Sequence, residues 1–227
     1  MFFFDQGYIL FVLPAMIFAL WAQSRVNSAY ETYSRMYSKS GASGYQVSAA
    51  LLRNAGLSDV RIERIEGRLS DHYDPRKRVL RLSPGIYDSP SIAAMAIAAH
   101  EVGHAVQHSV GYAPLAIRNG LVPLVQFSSN AAFPLFFIGL FMNSDPLMTL
   151  GILLFMGAVV FQLITLPVEY NASNRAVDML QVSGFLSSGD VQPVGNMLNA
   201  AALTYLAGTA VAIAQVLRLM LYRNRRR

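Results

Sequence analysis

The sequence predicts a mainly α protein in which integral membrane helices carry a small α+β domain. Three observations support this. The 227 residues are 54% hydrophobic and only 14% charged, against about 25% charged in an ordinary soluble protein. The charge is concentrated between residues 23 and 118, while four other stretches are almost bare of it. Those bare stretches each approach the ~20 residues needed to cross a bilayer. No cysteine occurs, which excludes a disulfide framework and a thiolate metal site.

The elements follow in order. Residues 1–23 read as a transmembrane anchor. Phe2 to Ala22 is apolar apart from Asp5 and Gln6, no basic segment precedes it, and Trp21 suits a membrane interface. Residues 24–120 form the charged region. Residues 43–55 make an amphipathic helix stopped by Gly56. The alternation from Val60 to Ile65 reads as a strand, and Val79 to Leu82 as a second one after a polar turn around Asp74–Lys77. A short β-hairpin or small sheet is therefore expected. Next comes a helix with Ser89 as its N-cap and Pro90 at its first position, running through small apolar residues from Ser91 to Ala99.

Residues 121–166 read as a transmembrane hairpin, Leu121–Met142 and Leu147–Leu166, with Asn143–Pro146 as its turn. Pro123 and Pro134 are tolerable kinks in the first arm. Pro167 is expected to end the second arm, with a new helix over Val168–Asp178 inside a segment spanning 167–199. Residues 200–227 form a last apolar helix and a basic tail, Arg223-Asn224-Arg225-Arg226-Arg227, which accounts for most of the +5 net charge. Because that tail directly follows an apolar segment, it suits lipid headgroups, and no nucleic-acid partner is expected.

The chemistry centres on His100-Glu101-Val102-Gly103-His104, an H-E-x-x-H sequence within the alanine-rich helix. Four-residue spacing puts both imidazoles on one helix face, where they can bind one Zn²⁺. Glu101 can then act as general base on a metal-activated water. Left unpartnered, three such polar groups in an apolar helix would cost several kcal/mol.

A catalytic zinc needs a third protein ligand. Six residues beyond His104 stands Val110, so a same-helix third histidine is ruled out. His108 lies on the same face, but its eight-residue offset from His100 is a rise of about 12 Å. His72 is a weak alternative. Four acidic residues follow Glu101, namely Asp145, Glu169, Asp178 and Asp190. Asp145 lies in the hairpin turn and Asp190 in a Gly/Ser-rich loop. Glu169 comes just after the hairpin returns, so it is the expected ligand, with Asp178 as the runner-up.

Two segments, Val168–Ala176 and Ala99–His108, together with Asp71–Pro75 and Val79–Ser83, resemble the bacterial membrane zinc metallopeptidase family. The likeness covers nearly the whole chain. A more distant one is to the heat-shock and CAAX-prenyl membrane endopeptidases, which carry an aspartate four residues after the glutamate. This chain has Ser173 there, so Ser173, Asp71 or Asp74 is left to orient a zinc histidine. The resemblance also implies that Arg175 stabilises the oxyanion.

The expected activity is that of a membrane-embedded zinc endopeptidase, acting on membrane proteins or peptides. Its setting would be a multi-pass cell-membrane protein with the site on the cytoplasmic side. Two alternatives stay open: a site-2-type intramembrane protease, and a non-catalytic membrane scaffold with a structural metal site. The absence of an L-D-G segment weighs against the first. Glu101, which a structural site does not need, weighs against the second.

Overall fold

Residues 5–225 are described by the computed structural model; the aromatic start at Phe2–Phe4 and the last two arginines, Arg226 and Arg227, lie outside them. Helix α1 (Leu13–Ser34) follows a π-helical turn at Tyr8–Val12. After it come α2 (Gly44–Asn54), β1 (Arg61–Arg64), β2 (His72–Asp74), β3 (Val79–Leu82) and α3 (Pro84–Tyr87). The chain ends with α4 (Ile92–Ser109), α5 (Ala113–Phe141), α6 (Asp145–Val182) and α7 (Val191–Asn224). Four helical stretches, Tyr8–Ser34, Ala113–Phe141, Asp145–Val182 and Val191–Asn224, are long and apolar enough to cross a membrane. The protein is thus mainly α with a small α+β part.

The chain divides into two units, and α1, α5, α6 and α7 each contribute residues to both. Unit 1 comprises residues 1–23, 116–167 and 203–227. Its core is built from Phe136 and Leu140 of α5, Met148 and Ile152 of α6, and Val216 and Leu219 of α7. Glycines let the hairpin helices approach closely, since a Cβ on Gly139 would lie 2.6 Å from the Met148 nitrogen. At one end of this unit Arg218 pairs with Asp5 at 2.7 Å. There too Arg223 faces Asp145 at 3.7 Å and donates to Thr149 at 3.0 Å. Asp5, the 143–146 turn and the end of α7 therefore share that end.

Unit 2 comprises residues 24–115 and 168–202. Its core gathers Val47, Leu51 and Leu52 of α2, Leu80 and Leu82 of β3, the alanines of α4, and Ala176 and Leu180 of α6. Helix α2 opens with a reciprocal cap: Ser43 Oγ accepts from Gln46 N at 3.3 Å, and Gln46 Oε1 accepts from Ser43 N at 2.9 Å.

The structure corrects three expectations. The two strands read from sequence do not form a hairpin, because β1 runs parallel to β3 and the sheet order is β1-β3-β2. The hairpin partner of β3 is β2, three residues that read as loop. Their link is a turn in which Asp74 Oδ1 accepts from the N–H groups of Arg76 and Lys77 at 3.0 and 3.1 Å. A three-residue strand is too short to show alternation.

The N-cap of α4 is Ser91, not Ser89, with Ser91 Oγ accepting from Ala94 N at 3.2 Å. Residues 89–91 are held extended by pairing with 36–38: Ser38 N donates to Pro90 O, and Ile92 N to Met36 O. That long-range pairing moves the helix start by two residues.

Pro167 does not end a helix; it lies inside the unbroken α6. A proline in a helix interior costs about 3 kcal/mol. Here Val168, Ala172, Ala176 and Leu180, spaced by four, are all fully buried, and packing along that seam outweighs the lost hydrogen bond. The helix that carries Glu169 is thus the direct continuation of an apolar one.

Candidate metal centre

Helix α4 presents His100 and His104 on one face, with ring centroids 4.7 Å apart and the rings nearly perpendicular. Helix α6 supplies Glu169, whose side chain is almost wholly buried. Its Oε2 lies 3.3 Å from His100 Nε2 and 3.6 Å from His104 Nε2. The three ligand atoms all fall within 4.8 Å of one another.

These separations test whether a zinc ion fits. Ligands about 2.0–2.1 Å from a tetrahedral ion stand roughly 3.3–3.4 Å from each other. The observed 3.3 and 3.6 Å match that spacing. Two imidazole nitrogens and one carboxylate oxygen are also the donor set of an open catalytic zinc site. The residues fit the ion.

Each ring is held from behind. Ser173 Oγ lies 3.1 Å from His100 Nδ1, and Gln107 Oε1 lies 3.0 Å from His104 Nδ1. Both Nε2 atoms therefore face Glu169, as metal-ligating histidines require. Asp71 and Asp74 do not take this part. Asp71 accepts from Ser83 N and Oγ at 2.7 and 3.0 Å, while Asp74 bonds Arg81 and its own turn.

Glu101 stands apart from the ligand trio. Its Oε2 accepts from Tyr73 N at 3.0 Å. Tyr73 is the middle residue of the edge strand β2, so the sheet fixes the carboxylate next to the candidate ligands. His108 meets the Tyr73 hydroxyl at 2.9 Å through Nδ1. His72 is turned to Ser70 O and Arg81. Asp178 is exposed on α6, and Asp190 accepts from Ser187 in the link just before α7. Among the described residues, none of these four joins the trio. Arg175 donates through Nε to Asn171 Oδ1 at 2.8 Å.

Burial opposes the charging of His104. The hydrogen bond to Glu169 and the charges of Glu101 and Glu169 outweigh it, so the pKa of the metal-free imidazole is raised. Asp71 is also pushed up, chiefly by burial, and the hydrogen bonds from Ser83 only partly offset this.

Two residues of the centre escaped the sequence reading. Gly103 occupies a free position of the motif, yet a Cβ there would lie 2.6 Å from the Ala172 carbonyl oxygen. Only glycine lets α4 approach α6 closely enough for the histidines to reach Glu169. Gln107 is fully buried. Its signal was present in the sequence, as an amide three residues after the second histidine, between Val106 and His108.

Comparison with known proteins gives the family of the chain. The family described as "Putative neutral zinc metallopeptidase" matches residues 8–224. A protein of Bacillus subtilis (strain 168), described as "Putative membrane protease YugP", is 43% identical over 220 residues. The match covers 96% of this chain and 98% of that protein. No solved structure matches the chain. With nearly its whole length matched, the chain belongs to the putative neutral zinc metallopeptidase family.

Proposed function

We propose that this protein is a multi-pass membrane zinc endopeptidase, with His100, His104 and Glu169 holding the ion and Glu101 acting as the general base. The observation that carries this is the spacing of 3.3 and 3.6 Å between Glu169 and the two imidazoles, with Glu101 held outside the trio. Zinc held by these three residues would supply Lewis-acid polarisation of a scissile carbonyl and acidify the attacking water. Glu101 takes the proton from the attacking water and returns it to the departing amine. The Tyr73 N–H holds Oε2, which orients the carboxylate and leaves Oε1 for that transfer. Ser173 and Gln107 keep the imidazoles turned inward. Arg175 is assigned the oxyanion role; its Nε is anchored on Asn171, so its terminal nitrogens are the ones to face substrate.

Strand β2 is an edge of the sheet, and the Tyr73 N–H on it points to Glu101. An extended substrate added along that edge would pass beside the base. Membrane proteins and peptides at the bilayer are the proposed substrates, because α6 runs without a break from the apolar residues 145–167 into Glu169. If all four apolar stretches cross, residues 24–115 and 168–202 share one side, proposed to be the cytoplasm. Protease accessibility of a tag near residue 40 tests that side.

The decisive experiment concerns Glu101. The Glu101→Gln variant is expected to retain about one zinc per chain and to lose peptide cleavage, since the ligands remain but no base does. An active Glu101→Gln variant, or a wild type that takes up no zinc, overturns the reading.

A further inference from the structure

Gln107 makes more contacts than an acceptor for one histidine needs. Its Nε2 donates to Val168 O at 2.8 Å and to Asn171 Oδ1 at 2.9 Å, while Oε1 lies 3.0 Å from His104 Nδ1. The two ends of an amide look alike, and only the partners tell them apart. Here the partners decide. The Val168 carbonyl can only accept. Arg175 Nε can only donate, and it takes Asn171 Oδ1 at 2.8 Å, so that atom is an acceptor as well. One end of Gln107 thus faces two acceptors and is the NH₂. The other end is the oxygen, and it requires a donor from His104. Nδ1 of His104 therefore carries a proton, and Nε2, on the side of Glu169, is the nitrogen left to bind a metal.

We infer that Gln107 is the positioning residue of the centre: a polarity chain from Arg175 through Asn171 and Gln107 sets the tautomer of His104, and the same amide clamps α4 to α6 around Glu169. The inference rests on the zinc reading above. Val168 immediately precedes Glu169 and Asn171 follows it by two, so one buried side chain holds a ligand on its own helix and the backbone of the ligand on the other. The arrangement also leaves both zinc histidines with neutral partners, Ser173 and Gln107.

The direction of the chain gives opposite outcomes for the same amide-to-acid exchange. A carboxylate beside an imidazole N–H ordinarily strengthens the ligand. If Gln107 were only an acceptor, Gln107→Glu would bind zinc at least as tightly as the wild type. As a clamp it cannot be replaced so, because a carboxylate has no hydrogen to give Val168 O or Asn171 Oδ1. Asn171→Asp, by contrast, keeps an acceptor for both Gln107 and Arg175.

The test measures zinc affinity of the full chain in detergent by chelator competition, with ¹⁵N-histidine NMR of the zinc-loaded protein. The His104 signal is assigned by through-bond correlation to its backbone. Expected are an Nδ1–H tautomer for His104, an affinity about 10- to 100-fold weaker for Gln107→Glu, and a change within about threefold for Asn171→Asp. A purely structural tie between helices would not dictate the tautomer. An Nε2–H tautomer, a Gln107→Glu variant that binds as tightly as wild type, or an Asn171→Asp variant that loses zinc equally overturns the inference. Should Gln107→Glu fail to fold, Gln107→Met serves instead, and undiminished zinc affinity there overturns it. A wild type that binds no zinc sinks the metal reading itself, whereas a zinc-loaded wild type with an indifferent position 107 sinks only the clamp.

Discussion

Replacing Gly103 by alanine places a methyl carbon 2.6 Å from the Ala172 carbonyl oxygen, with the Ala172 carbonyl carbon and Cα at 3.2 Å. All three are backbone atoms of α6, so no side chain can rotate away. Ordinary contact begins at 3.4 Å, and relief requires the helices to part by about 0.8 Å (3.4 − 2.6). Passed on to the ligands, that opening takes the 3.3 and 3.6 Å separations of Glu169 from the imidazoles to roughly 4 Å or beyond, whereas zinc sites hold their distances within about 0.2 Å. Stability responds less. Overpacking costs about 1–3 kcal/mol, and alanine regains about 1 kcal/mol over glycine in a helix interior. The net change is then small, while the metal site takes the full displacement. Gly103→Ala should therefore bind zinc about 10- to 100-fold more weakly, the scale of losing a supporting contact at a metal ligand, with only a modest change in the melting temperature of the metal-free chain. Chelator competition and thermal melting in detergent measure both. Wild-type zinc affinity in Gly103→Ala would refute the claim that this glycine sets the distance between the ligand helices.

Other outcomes follow from the same geometry. Glu169→Ala should empty the site while Asp178→Ala leaves it filled, as metal analysis of the purified variants will show; zinc loss from Asp178→Ala would displace Glu169 from its assignment. Ser173→Ala should weaken zinc binding about 10-fold, because it removes the acceptor 3.1 Å from His100 Nδ1, and an indifferent variant would reduce Ser173 to a packing residue. Asp71 gives a pH signature. Its pKa is raised in the folded chain, so its contribution to stability is complete below the unfolded value of 3.8 and is lost as pH rises through the folded pKa. Asn cannot ionise, so the melting temperature of Asp71→Asn relative to wild type should climb with pH across that interval. A difference that stays flat or shrinks would contradict the burial of an ionisable group there.

Glu101 and the two histidines were legible because helix periodicity is a local property: four-residue spacing alone puts both rings on one face. The apolar stretches were legible for the same reason, since length and composition decide whether a helix can cross a bilayer. Glu169 needed one further step, the return of a hairpin, which chain order already implies. Tertiary structure decided what depends on partners far away in the chain. Ser91 rather than Ser89 caps α4 because residues 36–38 pair with the preceding segment. Strand β1 lies parallel to β3 because a strand too short to show a pattern takes the hairpin position. Helix α6 passes through Pro167 because its buried seam outweighs a lost hydrogen bond. The sequence by itself determined which side chains are candidates for ligand and base, for these follow from residue type and local spacing. Only the folded chain determined how closely α4 and α6 approach and which nitrogen of each imidazole faces Glu169, because the backbone contact at Gly103 and the amide of Gln107 act on residues some sixty positions away.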